Sequence, residues 1–539
     1  MSDTVRRVVF CALFVAFLIP VSALAQAGRA PADAPAGGQA GAQASDVRRL
    51  SVDEAVGLAL EQNLSLQVQR LNPQIQDLAT EQVRTAWTPT LSSTISDASS
   101  TNPVSSFLSG ASNQLINKSI GVTVQENQFL PWGGANYNVT WANGRNENNS
   151  VFSSPNPSLS STLNATFTQP LLRNFKIDNT RQQLLISKKN REMTDVQLRQ
   201  TVLVTIRAVK SAYWDLAFAV DNLKVQQQSL DIARESLRDN KARVAVGTMA
   251  PIDILEAEAE VARNEEGVIV AQAQITRAED ALRQLVFDPK VPDFWTMKFE
   301  LTDQPVFRAQ DVDVDSAVRT ALEKRTDIIN MRKNLEAANI NIRYFKNQTL
   351  PDLSVQAGYG LSGQGGTDYQ FSDSFPPVPT SVVKNGYGSV LSQMFSNDFH
   401  NWSLALTVGY PIGRSNAQVA LARAKVSYSQ SELQLRSLEL TVATQVREAV
   451  RTLNTNRKRV DATRVSRELA ERKLVAEQKK LEAGIGTNFA VIQAQRDLAT
   501  ARNSELQAVL DYNRSLVDFE TVQEAPISGG GVTLASAGQ

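Results

Sequence analysis

Two hydrophobic periods take turns along this chain, and each occurs twice. The first is a period of two. Leu353, Val355, Ala357, Tyr359 and Leu361 recur at every second position, with Ser354, Gln356, Gly358 and Gly360 between them. Trp402, Leu404, Leu406, Val408 and Tyr410 do the same against Ser403, Ala405, Thr407 and Gly409. Earlier in the chain, Tyr137, Val139 and Trp141 alternate with Asn136, Asn138 and Thr140. Leu159, Leu163, Ala165 and Phe167 share one face, opposite Ser160, Thr162, Asn164 and Thr166. Successive side chains of a strand point to opposite faces, so each segment predicts a strand with one apolar and one small-polar face. A barrel wall between lipid and a wet lumen needs that pattern, and a soluble sandwich permits it. The aromatic residues Trp141, Tyr359, Trp402 and Tyr410 at the segment ends favour the membrane. Residues 118–128 and 134–142 flank Leu130-Pro131-Trp132-Gly133-Gly134, which reads as a tight turn. These two arms either add a hairpin to the wall or extend a loop.

The second period is helical. No proline or glycine falls between Asn179 and Val246, a run of roughly 100 Å at about 1.5 Å per residue. Val202, Ile206, Val209, Tyr213, Leu216, Val220 and Leu223 form a heptad seam along it, which predicts lengthwise packing against other helices. Asn416 to Ala483 is equally free of breakers, with a looser seam at Leu435, Leu438, Val442, Val446, Ala449 and Leu453. The first run ends at Gly247 and the second at Gly484/Gly486. Return helices are predicted over about Ile252–Val286 and Ala490–Val522. Glycine reaches positive φ without steric penalty, so Gly247 and Gly486 are expected to hold the two turns.

An internal match explains the doubling. Val52-Asp53-Glu54-Ala55-Val56-Gly57-Leu58-Ala59-Leu60-Glu61 aligns with Val314-Asp315-Ser316-Ala317-Val318-Arg319-Thr320-Ala321-Leu322-Glu323, and the same offset places Pro89 on Pro351 and Leu91 on Leu353. Each half opens with a helix. Ser51 and Glu54 predict a capping box for the first, which runs to about Ala86 with a kink or break at Asn72-Pro73. The second copy, about Val314 to Lys346, lacks that proline. A return helix and an opening helix together are about as long as one long helix, so two short helices stacked end to end can flank it. The expected plan is a first repeat over residues 50–287, an equatorial linker over 288–312 and a second repeat over 313–522.

The termini and the composition narrow the function. Arg6 and Arg7, the apolar run Val8–Ile19, and the A-x-A sites Ala23-Leu24-Ala25 and Ala25-Gln26-Ala27 predict a signal peptide over residues 1–25. Residues 26–49 read as a flexible segment and 523–539 as a flexible tail. The sole cysteine, Cys11, lies inside the signal, so disulfides and thiolate sites are not expected in the mature chain. The sole histidine, His400, reads as a loop residue. No metal site, cofactor or catalytic centre is indicated. The 55 basic residues balance 55 acidic ones, which gives no electrostatic reason to expect nucleic acid. No later run is long and apolar enough for a membrane helix, which leaves a β-barrel open.

From Leu50 to Val522 the chain resembles the TolC-like outer-membrane efflux proteins. The resemblance rests on Ser51-Val52-Asp53-Glu54-Ala55-Val56 with Ala59-Leu60-Glu61-Gln62-Asn63, on the strand-to-helix junctions Gln169-Pro170-Leu171-Leu172 and Tyr410-Pro411-Ile412, and on the tips Val246-Gly247-Thr248 and Ile485-Gly486-Thr487. It implies a mainly α fold with membrane β: a homotrimer in which a long α-helical coiled-coil barrel joins a shared transmembrane β-barrel. It also implies an exit duct without cofactors. The tips Val246, Gly247, Thr248, Ile485, Gly486 and Thr487 would meet a periplasmic adaptor that links to an inner-membrane pump. The family protomer usually supplies four strands, and this first half has more candidates. TolC, the namesake, carries a tyrosine, an arginine and two aspartates around the second tip that close its periplasmic mouth. The matching positions here are Ala483, Asn488, Ile492 and Gln495, so a mouth lined by Asn488, Ile492 and Gln495 would lack those carboxylates. The first-tip aspartate does match, at Asp253, where a gating role and a helix-dipole role both fit. A secreted coiled-coil scaffold with β segments is the alternative from another class.

Overall fold

In a computed structural model, residues 47–104, 114–290, 294–304, 307–372 and 379–524 are described. The expected signal peptide, Cys11 and nearly all of the expected tail lie outside them. In chain order the elements are β1 (Val47–Leu50), α1 (Val52–Gln62), α2 (Leu64–Arg84), β2 (Thr90–Pro103), β3 (Gln114–Phe129), β4 (Asn136–Asn148), β5 (Ser158–Pro170), α3 (Asn179–Ala245) and α4 (Ile252–Val286). The second half follows with β6 (Lys298–Leu301), α5 (Val314–Lys324), α6 (Thr326–Gln348), β7 (Asp352–Phe371), β8 (Pro379–Asn385), α7 (Tyr387–Ser396), β9 (Phe399–Gly409), α8 (Asn416–Glu482) and α9 (Asn488–Gln523). Residues 47–49, expected to be flexible, form most of β1, which pairs in parallel with β6. Among the described residues no helix is long and apolar enough to cross a membrane.

The long helices α3 and α8 each run 67 residues. Their seams are buried at Val209, Tyr213 and Leu216 in α3, and at Val442, Val446, Val450 and Leu453 in α8. Helix α2 lies along the start of α3, where the Thr80 and Ser187 hydroxyls are 2.8 Å apart and Arg191 pairs with Asp77. Helix α4 lies along its far end, where Lys241 pairs with Glu258 and Arg234 with Glu265. Two shorter helices thus flank one long helix, and α6 and α9 do the same for α8.

At mid-length each half carries a buried tyrosine clasp. The Tyr213 hydroxyl donates to the Leu50 carbonyl at 3.0 Å and accepts from the Asp303 amide at 3.1 Å. The Tyr512 hydroxyl donates to the Arg308 carbonyl at 2.7 Å and accepts from the Gln310 amide at 3.2 Å. Each clasp satisfies backbone groups of the irregular segment around β6, which the aromatic residues Phe287, Phe294 and Phe299 anchor in the core.

Two expectations about the opening helices need correction. The Ser51–Glu54 capping box is present, but the helix breaks at Asn63, not at Asn72-Pro73. Asn63 has extended backbone (φ −62°, ψ 117°); its amide closes α1 on the Ala59 carbonyl while its side chain caps α2 at the Leu66 amide, 3.0 Å away. One residue serves both helix ends, whereas Pro73 forgoes a single backbone bond inside α2 and buries its ring. The second copy also breaks, at Arg325, although it has no proline. There the Glu524 carboxylate caps α6 from across the fold, accepting from the Thr326 amide at 3.0 Å and hydroxyl at 2.8 Å.

The other seven strands form one antiparallel sheet in the order β2-β3-β4-β5-β7-β8, with β9 pairing the same edge of β7 below β8. The β3–β4 hairpin therefore joins the wall, and the sheet is six strands wide. His400 lies in β9, not in a loop; it sits opposite Leu361 with its ring 6.4 Å from that of Tyr359. Helices α2 and α6 enter the sheet, and β5 and β9 leave it for α3 and α8, all at one end. Thr90 begins β2 and, through Asn127, Asn138 and Thr166, stands level with Gly358 rather than with Asp352, where β7 starts. That stagger is about 20 Å across about 19 Å of sheet, a strand tilt of about 45°.

Candidate functional site

The wall and the helix tips are the parts of this fold that can act on something outside it. Paired residues keep the two faces of the sheet distinct. One face carries Leu353, Val355, Leu361, Leu404, Leu406, Val408, Leu163 and Val139, and the other Ser354, Gln356, Thr407, Ser403, Thr166, Asn164, Asn138 and Thr140. Trp402 is 74% exposed and Leu404 68%, although both lie on the apolar face. Apolar side chains left in the open along a strand are stable against lipid and costly against water.

At the far end of the helices, both tips close with the same hydrogen bonds. In the first, the Gly247 amide donates to the Val244 carbonyl and the Thr248 amide to the Arg243 carbonyl. In the second, the Gly484 amide donates to the Leu481 carbonyl and the Ile485 amide to the Lys480 carbonyl. This is a Schellman turn with glycine in the left-handed region, at φ +75° in both Gly247 and Gly484. The expected role of Gly486 is corrected accordingly. Gly484 supplies the positive φ, and Gly486 serves a different need: a Cβ there would come within 2.8 Å of the Leu481 amide. Val246, Thr248, Ile485 and Thr487 are exposed around these turns, and Thr487 caps α9 at the Ala490 amide.

The expected mouth residues separate. Asp253 is half-buried in the first turn of α4. Gln495 is half-buried beside Arg496 and Glu260. Asn488 and Ile492, however, are only 3% and 4% exposed within a single chain, so they cannot line an opening. Asn488 accepts from the Asn240 side chain of α3 at 3.0 Å, and Ile492 follows one turn later on the same side of α9. Position 492 packs inside the chain because α9 lies between α3 and α8.

Sequence reasoning missed the charges that hold α9 in place. Glu260, 6% exposed on α4, accepts two bonds from Arg496 at 3.0 and 2.7 Å and is also paired with Arg263. Between α8 and α9, Arg467 pairs with Glu505 at 2.6 Å and with Glu471 at 3.0 Å, and Arg502 reaches Glu471 at 3.2 Å. Burial pushes the Glu471 carboxyl upward, but the Arg502 and Arg467 guanidiniums outweigh it and hold the group below its ordinary value. Burial raises Asp215 despite its pairing with Arg514. Glu260 and Arg496 lie 236 residues apart, so no local period could reveal their pairing.

A two-faced membrane wall continuous with helices about 100 Å long defines a conduit that spans one membrane and an adjoining aqueous layer. The model of the outer membrane efflux protein family matches residues 55–286 and 317–522, and this chain belongs to that family. It is 22% identical over 390 residues to the outer membrane protein TolC of Escherichia coli (strain K12), covering 71% of this chain and 72% of that protein. Among solved structures, the fold is similar to CusC, with a TM-score of 0.62 at 15% identity over 88% of this chain and 92% of that one. It is also similar to the outer membrane protein VceC of Vibrio cholerae, with a TM-score of 0.60 at 15% identity over 88% and 96% of the two chains. The chain is an outer-membrane efflux channel with a large periplasmic helical part. The apolar face of its sheet is the lipid face, and the end of the sheet that meets the helices is the periplasmic end.

Proposed function

We propose that three copies of this chain close a single passive duct, doing no chemistry, which receives solutes from a periplasmic adaptor and an inner-membrane pump. The observation that carries this is the sheet with two open edges, β2 on one side and β8 with β9 on the other. An open edge cannot face lipid, because each unpaired amide and carbonyl there lacks water, so copies must pair edge to edge. The tilt of about 45° lies at the upper end of the range of closed barrels. Three is the number the family resemblance implies, and three copies of a six-strand-wide sheet give eighteen strands. Barrels of that size class leave an aqueous bore. Residues 50–287 and 313–522 act as the two repeats, joined by 288–312, and residues 1–25 direct export.

The tips are the adaptor-facing surface in this reading. Val246 is 74% exposed and Ile485 79%, with Ile252, Leu255 and Phe489 also exposed nearby. Such apolar side chains around two rigid turns suit a protein partner. Asp253 remains the carboxylate for a periplasmic ring, and Gln495 remains a candidate lining residue.

Expression in a bacterial host tests the assembly. The expected result is recovery in the outer-membrane fraction, migration as a heat-sensitive trimer, and conducting channels in planar bilayers. Recovery as a soluble monomer overturns the proposal.

A further inference from the structure

Between β8 and β9 the chain leaves the wall. It departs at Gly386, forms the ten-residue helix α7, and rejoins the same side of β7 at Phe399. Helix α7 rests on the lipid face of the sheet, over β7 and β5 and inboard of the open edge. Gly363 makes this seat possible: a Cβ there would lie 2.1 Å from the Val390 carbonyl oxygen, so only a bare backbone lets the helix come so close. Val390 and Met394 are buried against the sheet.

Beneath the helix lies a polar chain that lipid could not satisfy. Trp141 Nε1 donates to Ser161 Oγ at 3.0 Å, and Ser161 Oγ donates to Asn143 Oδ1 at 2.7 Å. Met394 Sδ stands 3.4 Å from the same hydroxyl, and Ser161 is fully buried. The far end of the helix is pinned by Asn397, whose side chain accepts from the Tyr359 hydroxyl at 2.7 Å. Helix α7 is therefore a built part of the outer surface of the wall.

Its remaining faces differ. Tyr387, Leu391 and Phe395 form one row at helical spacing, with Phe395 51% exposed. Gly388, Ser392 and Ser396 form the next row, and no charged residue occurs from Tyr387 to Ser396. On the same face of the sheet, Tyr359 of β7 and Trp402, Leu404 and Leu406 of β9 are exposed as well. We propose that α7 is an interfacial helix that sets its Tyr387–Leu391–Phe395 row into the outer leaflet, at the boundary of acyl chains and headgroups, with the serine row toward the headgroups. This rests on the channel reading, which makes that face of the sheet the lipid face. The helix shields the Trp141–Ser161–Asn143 chain and anchors the wall at the membrane surface.

Site-directed spin labels test it in the full chain, reconstituted in phospholipid vesicles on a Cys11→Ser background. Phe395→Cys should collide with dissolved oxygen several-fold more than with a water-soluble nickel complex, as Val408→Cys should. Ser392→Cys should shift toward nickel. Nickel access at position 395 with oxygen preference retained at 408 overturns the proposal. Low collision with both reagents at 395 means that another protein surface covers it, and overturns it equally. Nickel access at 408 as well would overturn the channel reading beneath it.

Discussion

The two helix tips share one turn and differ in everything that surrounds it. Both close through the same pair of backbone bonds and a glycine at φ +75°. Counted from the helix caps Pro251 and Thr487, Ile252 and Glu256 of the first return helix match Asn488 and Ile492 of the second. Ile252 and Glu256 are exposed, while Asn488 and Ile492 are buried. The first tip thus shows an isoleucine to solvent, and the second hides an asparagine by giving it Asn240 as a partner. The turn is set by local backbone chemistry, whereas the fate of the next helical turn is set by what lies beside it. Helix α9 lies against both long helices, and α4 packs chiefly on α3.

The sharpest way to break this comparison is to change the charge at the two matched positions. Ile492→Asp buries a carboxylate with no cation prepared for it and should destabilise the assembly by about 3–5 kcal/mol. Glu256→Ile, at the exposed counterpart, should stay within about 0.5 kcal/mol. Loss of the helical circular-dichroism signal on heating measures both. If Ile492→Asp assembles normally and instead creates a block by trivalent cations, the position lines the lumen and the buried placement is wrong.

The glycines sharpen the comparison next. Gly486→Val forces the Leu481 and Lys480 backbone to move, a strain of about 1–3 kcal/mol concentrated at the tip. Export in cells should fall while assembly in the outer membrane persists. Gly484→Asn and Gly247→Asn should be tolerated, because asparagine enters the left-handed region and nothing lies within 4 Å of either glycine's Cβ position. Equal loss of export in all three variants would erase the distinction drawn between Gly484 and Gly486. Arg496→Met tests the tie between the hairpins. It leaves the Glu260 carboxylate with Arg263 and the Asn264 amide and should lower stability by about 1–2 kcal/mol, read from the same thermal scan.

These differences show where the sequence was informative. Features decided within a few residues were legible: the Ser51–Glu54 box, the alternating faces of β5, β7 and β9, and the breaker-free runs that became α3 and α8. Features decided by distant partners were not. The break at Arg325 depends on Glu524, and no proline or glycine marks it. Strand β2 has only Leu91 and Ile95 as large apolar residues on its lipid face, so its period is faint. Helix α7 is short, and what fixes it is Gly363 on another strand. Two glycines two residues apart, Gly484 and Gly486, both fit a tip motif by sequence, and only the backbone geometry tells them apart.

The smallest expected effect concerns how the two hairpins respond to acid. The first is joined by separate surface pairs, Lys241 with Glu258 and Arg234 with Glu265. The second is joined by a network in which Glu471 receives both Arg467 and Arg502. A carboxyl held below its ordinary value is charged more readily in the folded chain than in the unfolded one. The unfolded chain therefore takes up the proton first as pH falls. The stabilisation is complete above the ordinary carboxylate value and is lost as pH drops through the lowered one. Glu471 is 38% exposed, so solvent screens the pair and its contribution should stay below about 1 kcal/mol. Glu471→Gln should remove that part of the acid sensitivity while leaving the neutral-pH melting temperature only slightly lower, and added salt should shrink the difference further. An unchanged acid limb in the Glu471→Gln variant would show that the network positions α9 through side-chain packing rather than through charge.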